Sequence, residues 1–254
     1  MPATRLKNIF GTATFCTAQG ARSYQEDCYV YKEFPIGYLM AVFDGHVGVH
    51  TADIASRNLP RVFDSEFNLL LSKKNEMPID YEVLLKKVVA RLDELVIDEE
   101  CSGSTISLVF IPKIFINEDP TAYVAVIGDS PIVIANSSDK NIFIGPNHNV
   151  RENIKEREAA IKRGGFYDGN YIWNATRTTG LQMGRDLGSQ RFGKILSHKP
   201  EMAQVRLDNE SIIIVATDGV FDPAHRADTR TQAKRLIDMI KAGSDAEDLV
   251  KDAL

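Results

Sequence analysis

The chain has 254 residues, 44% hydrophobic and 26% charged, a composition that excludes disordered and fibrous classes. Its formal net charge of -5 argues against nucleic acid as a main partner, since nucleic-acid-binding domains carry a basic face. Three widely spaced cysteines (Cys16, Cys28, Cys101) form no zinc or redox motif, Met1–Phe10 lacks a signal-peptide core, and no stretch approaches the roughly 20 apolar residues of a membrane span. These features point to reduced thiols in a cytoplasmic protein, the nucleus being the other compartment left open, and a monomer is the separate expectation.

Strand-like runs rich in Val, Ile, Tyr, Phe and Thr come first, at Thr12–Thr17, Asp27–Tyr31 and Tyr38–Phe43. His50–Asn58 reads as a helix. From Tyr81, apolar residues at Leu84, Leu85, Val88, Leu92 and Leu95 recur on one helical face. Strands at Thr105–Ile111, Ala122–Ile127 and Ile132–Asn136 follow with short connections, which suits antiparallel pairing. A helix over Ile154–Arg163 should stop at Gly164–Gly165. After a strand at Ser211–Ala216, a helix from about Thr229 should bury Ala233, Leu236, Ile237 and Ile240. A last helix, Ala246–Ala253, takes Ser244 or Asp245 as its cap. No repeat, low-complexity tract or linker divides residues 1–254, which are read as a single domain. The expected class is α+β, a central antiparallel β-sandwich with helices outside.

The position of the acids carries the chemistry. Asp44 ends the run Leu39–Phe43 and is followed by Gly45 and His46. Asp218 follows Ile212–Thr217 and precedes Gly219. Asp129 follows Val124–Gly128, and Glu26 and Asp27 stand where another strand begins. Any one Asp-Gly pair is most often a turn. Three strands each ending in an Asp next to Gly, with an acidic pair elsewhere, can converge on one sheet rim, where oxygen ligands suit hard divalent cations. Two such ions could activate a water and neutralise a phosphate.

These segments resemble the protein phosphatase 2C family in order and spacing. The resemblance rests on Gly20–Asp27, Phe43-Asp-Gly-His-Val-Gly48, Ser102-Gly-Ser-Thr105 and Ile127-Gly-Asp-Ser130. It continues through Glu156–Gly165, Gly184-Arg-Asp-Leu-Gly188 and Ala216-Thr-Asp-Gly-Val-Phe-Asp222. It implies a metal-dependent serine/threonine phosphatase with two Mn²⁺ or Mg²⁺ ions and phosphoprotein substrates. Its fold would be a four-layer sandwich with a flap at about 166–180. By resemblance Asp44 bridges both ions, the Gly45 carbonyl binds one, Asp218 binds the other, Glu26 acts through water and Asp27 sits beside it. Arg22 clamps the phosphate and His46 protonates the leaving oxygen. Trp173 falls in the flap, where packing is at least as good a reading as substrate contact.

The chain also departs from the family's pattern. Asn147 stands where an Asp is usual, which weakens a third ion site that Asp222 could partly supply. Ser189 replaces Asp after Gly188, where a local packing change is expected, and Pro131 replaces a common Arg. The family continues into a final strand bearing another ligand Asp, whereas this sequence stops at Leu254. Two readings follow, an active phosphatase and a catalytically impaired binding module.

Overall fold

The computed structural model describes residues 4–8, 11–73, 79–97, 102–113, 120–137, 142–221 and 228–254. It opens with β1 (Thr4–Asn8), β2 (Gly11–Phe15), β3 (Asp27–Phe34), β4 (Gly37–His46), α1 (His50–Lys73) and α2 (Tyr81–Leu95). Next come β5 (Gly103–Ser104), β6 (Ile106–Pro112), β7 (Thr121–Ile127), β8 (Ile132–Ala135), β9 (Phe143–Ile144) and α3 (Ile154–Lys162). Then follow β10 (Phe166–Tyr167), β11 (Ile172–Trp173), β12 (Gly180–Leu181), β13 (Leu187–Gly188), β14 (Glu201–Arg206) and β15 (Ile212–Val215). The chain closes with α4 (Asp218–Phe221), α5 (Thr229–Lys241) and α6 (Ala246–Ala253).

The large sheet runs β13-β5-β4-β6-β7-β14, with β3 on the other side of β4, and every pairing is antiparallel. A smaller antiparallel sheet, β15-β8-β9, lies over one of its faces. Between them pack Val109, Ile111, Val124 and Val126 of the large sheet and Ile132, Ile134, Ile213 and Val215 of the small one. The opposite face of the large sheet, through Leu39, Ala41, Phe43, Leu108 and Phe110, is buried by α1 and α2. The outer face of the small sheet, through Val133 and Ile214, packs on Phe221, Leu236, Ile237 and Leu249 of α4, α5 and α6. Strand residues point alternately to opposite faces, so one strand feeds two cores. The result is four layers, helix–sheet–sheet–helix, as the sequence pattern implied.

Local chemistry explains most boundaries. Asp80, Asn153 and Asp228 cap α2, α3 and α5 by accepting backbone N–H groups. Asp245 caps α6 in a full capping box with Asp248. The first helix is the main correction. Its predicted end at Asn58, before Pro60, is wrong, because α1 continues to Lys73. Proline removes one helical donor and disfavours the interior. Here Leu59, Val62 and Phe63 on either side of it bury against the sheet, and that packing outweighs the local cost. The two-residue strands β5 and β9–β13 were not predicted, nor were the longer β1 and β14; Glu201–Arg206 alternates too weakly to stand out but pairs along the whole of β7.

Candidate active site

The rim of the sandwich gathers the acids. Antiparallel register puts Asp27 of β3 directly opposite Asp44 of β4. At Asp44 the β4 edge passes from β6 to β5, and Thr105 marks the junction. The Asp44 N–H donates to Thr105 Oγ1 at 3.1 Å, and the Thr105 N–H donates to the Asp44 carbonyl at 2.9 Å. Asp129 follows β7, and Asp218 opens α4 directly after β15, so the smaller sheet presents its acid to the same cleft. This cleft, about 1060 Å³, is lined by Arg22, Glu26, Asp27, Asp44, Gly45, His46, Asp129 and Asp218 among others.

Neighbours aim the individual groups. The Thr217 hydroxyl donates to Asp27 Oδ2 at 3.0 Å, linking the two sheets at the rim. Glu26 Oε1 accepts the Gly48 N–H at 2.6 Å, and the Gly45 N–H donates to the Glu26 carbonyl at 3.2 Å. Glycine is required at position 45 because a Cβ there would stand 2.6 Å from that carbonyl oxygen. Asp129 Oδ2 accepts from Asn149 Nδ2 at 2.9 Å. Arg22 is exposed on the loop before β3, beside the cleft.

The electrostatics are those of an acidic cluster short of positive charge. Burial pushes the Asp44 carboxyl well above its usual range, and the charges of Asp218, Asp27 and Asp129 add to this. Asp27 is raised by burial and by Asp218 and Glu26, against the opposing hydrogen bond from Thr217. Asp129 is raised to about 6 by burial and by Asp218. Among the described residues, none of Asp27, Asp44, Asp129 or Asp218 forms an ion pair with Lys or Arg. An all-oxygen, mutually repelling donor set fits hard divalent cations, which tolerate water between ion and carboxylate.

One tighter group exists elsewhere. His148, Glu156 and Glu201 bring ligand atoms within 4.8 Å of one another. Arg185 already neutralises this group, contacting Glu156 and lying 3.2 Å from Glu201 Oε2. His148 Nδ1 lies 2.9 Å from the Gly128 carbonyl and 3.1 Å from the Gly128 N–H, so the imidazole braces the turn that carries Asp129. The acidic rim therefore suits cations better than this group does.

His46 ends β4, with Nε2 at 3.2 Å from Asp186 Oδ2. Burial lowers its basicity, but the carboxylates of Asp186, Asp129 and Glu26 together outweigh that effect and hold the imidazole above its ordinary pKa. Of the predicted residues, Arg22, Glu26, Asp27, Asp44, Gly45, His46 and Asp218 line one cleft; Asp222 lies outside the described residues. Asn147 is engaged locally, with Oδ1 accepting the Asn149 N–H at 2.8 Å and Nδ2 donating to Glu152 at 2.9 Å. Trp173 donates Nε1–H to Asp168 Oδ2 at 2.8 Å and packs on Gly180 within the small sheet β10-β11-β12. Asp186 carried no role in the sequence reading. Its one signal was its place inside the Gly184–Gly188 motif.

Comparison with known proteins agrees. Residues 13–253 match the protein phosphatase 2C family. The chain belongs to the protein phosphatase 2C family, a class of protein serine/threonine phosphatases that depend on metal ions. It is 26% identical over 264 aligned residues to Probable protein phosphatase 2C 2 of Paramecium tetraurelia, covering 93% of this chain and 83% of that one. It is 28% identical to Protein phosphatase 2C 50 of Oryza sativa subsp. japonica, covering 79% of this chain but 55% of that protein. The chain thus spans most of one relative and about half of another. A serine-threonine phosphatase 2C from Toxoplasma gondii shares the fold at a TM-score of 0.74 and 19% identity, over 99% of this chain and 92% of that one. Among the described residues no helix is long and apolar enough to cross a membrane.

Proposed function

We propose that this chain hydrolyses phosphoserine and phosphothreonine esters of proteins at the acidic rim, with Mn²⁺ or Mg²⁺ as its metal. The observation that carries this reading is the convergence of Asp27, Asp44, Asp129 and Asp218 from both sheets, half-buried, mutually repelling and without an ion pair to Lys or Arg among the described residues. Asp44, the Gly45 carbonyl and Asp218 would hold two divalent ions, with Glu26 and Asp27 supporting one of them. Ions held there would make a water nucleophilic at neutral pH and offset the charge of the phosphate.

The chain's own residues do the rest. Arg22 binds the phosphate oxygens, where its planar fork gives paired contacts that lysine cannot copy. Water attacks phosphorus opposite the leaving oxygen, the P–O ester bond breaks, and His46 gives its proton to the serine or threonine oxygen. The Thr217 hydrogen bond holds the Asp27 carboxylate while this occurs, and the Thr105 hydrogen bonds hold the Asp44 backbone. The test is release of phosphate from a phosphothreonine peptide, titrated with Mn²⁺ and Mg²⁺ against a chelator. Metal-dependent release is expected; a folded sample that stays silent at every metal concentration rejects the proposal.

A further inference from the structure

The groups behind His46 form a compact arrangement. Pairing of β4 with β5 sets His46 opposite Gly103, and pairing of β5 with β13 sets Gly188 opposite Gly103. The three positions lie in a row across the sheet. Asp186 and Ser189 flank β13. Asp186 is fully buried, and its Oδ1 accepts the Ser104 N–H at 3.0 Å. Its Oδ2 faces His46 Nε2 at 3.2 Å. A Cβ on Gly103 would stand 2.2 Å from Ser189 Oγ, 2.4 Å from Asp186 Oδ2 and 2.5 Å from His46 Cε1. Glycine thus leaves open the one point where these three side chains meet.

The satisfaction of these atoms is informative. Asp186 Oδ2, Ser189 Oγ and both His46 ring nitrogens are buried, and none has an in-line hydrogen-bond partner. The His46–Asp186 contact is close in distance but off the line of an N–H···O bond. A buried carboxylate set against an imidazole this way costs stability unless its charge is used. Its backbone is also held fast. The Asp186 N–H donates to the Ser197 carbonyl at 3.1 Å, and Asp93 Oδ1 accepts the Gly188 N–H at 3.3 Å.

We infer that Asp186 is a positioning residue for the dephosphorylation step: its carboxylate, facing His46 Nε2, sets the orientation of the imidazole that protonates the leaving oxygen. This rests on His46 being the proton donor. Ser189 borders the same space. Its backbone is left-handed, at φ 49° and ψ 47°, a conformation that aspartate tolerates better than most residues. A carboxylate placed at 189 can therefore reach the same imidazole.

The test compares Asp186→Asn, His46→Gln and the double variant on a phosphothreonine peptide, a poor leaving group, and an aryl phosphate, a good one. Asp186→Asn keeps the shape and the acceptor for the Ser104 N–H, and thermal melting checks that it folds. Its kcat on the peptide should fall about 10- to 100-fold, a part of the 10²–10⁴ that a general acid contributes, while the aryl phosphate changes less than about threefold. Added to His46→Gln, it should have little further effect, because the two act as one unit. Ser189→Asp combined with Asp186→Ala should recover part of the peptide rate. Equal loss on both substrates in Asp186→Asn, or additive losses in the double variant, overturns the role of Asp186. If His46→Gln itself slows both substrates equally, the proton-donor reading fails first, and the two failures are told apart by that single variant.

Discussion

Asp129→Asn gives a direct measure of the strain that the acidic rim imposes on the metal-free protein. In the folded chain this carboxyl is raised from an ordinary 3.8 to about 6, first by burial and then by Asp218. Each tenfold displacement of ionisation is worth about 1.4 kcal/mol, so about two such steps correspond to about 3 kcal/mol. Solvent relaxation around the cleft reduces this, and 1–3 kcal/mol is the working range, or about 3–10 °C in Tm for a chain of this size. The sign follows from linkage. As pH rises from about 4 to 6 the unfolded chain releases this proton while the folded chain keeps it, so stability falls through that window and stays low above it. Asparagine carries no such charge, and its amide oxygen can still accept from Asn149 Nδ2. Melting in excess chelator at pH 4.5, 6.0 and 7.5 should show a variant advantage that is near zero at the lowest pH and full at the highest. An advantage independent of pH, or none at pH 7.5, refutes the argument that these acids are held against their own repulsion.

Further outcomes follow from the same contacts. Asp44→Asn should abolish most turnover, by about a thousandfold if the carboxylate serves two ions at once, yet leave the metal-free protein as stable or more so; chelator melting and peptide kinetics check both halves. Gly45→Ala should destabilise the fold by about 1–3 kcal/mol as overpacking, because its Cβ would stand 2.6 Å from the Glu26 carbonyl, and urea unfolding reads this directly. Asp93→Asn should cost stability mainly at low pH. Asp93 raises the His198 pKa, so the charged pair contributes fully below pH of about 6.5 and is lost as pH rises through the folded value. Partial exposure limits the effect to about 1 kcal/mol or less, and the difference in Tm between pH 5.5 and 8.5 is its measure.

The layered fold was legible in the sequence because each layer repeats a simple period. Leu84, Leu85, Val88 and Leu92 face the sheet from one side of α2, and Ala233, Leu236 and Ile237 do the same from α5. The site was legible where chemistry falls at strand ends. Asp27, Asp44, Asp129 and Asp218 mark where β3, β4, β7 and β15 meet the rim, and glycine beside three of them is visible in sequence. Less visible was anything set by packing across long separations. Nothing near Pro60 announces that Leu59 and Phe63 will bury deeply enough to carry α1 through it. Nothing in the sequence of Asp186 announces a partner 140 residues earlier, because β5, two residues long, creates that contact.

The two poorly legible features share a cause, and the cause bears on function. A residue that departs from a motif can be judged only with the space around it. Ser189, read in isolation, is a lost carboxylate beside Gly188. In the folded chain its hydroxyl points at the same glycine-made opening as Asp186 Oδ2, so the charge facing His46 is present and comes from three residues earlier. The departure is then a relocation within one cluster, consistent with a site whose rim acids, Arg22 and His46 are all kept. Asn147 is a different kind of departure. Its amide is committed to the Asn149 N–H and to the Glu152 carboxylate, away from His46 and Asp186. A conservative prediction separates the two: Asn147→Asp should leave the leaving-group dependence of the peptide and aryl phosphate rates unchanged, whereas Asp186→Asn alters it. If Asn147→Asp also changes that dependence, the separation of the proton-donating cluster from the rest of the rim is wrong.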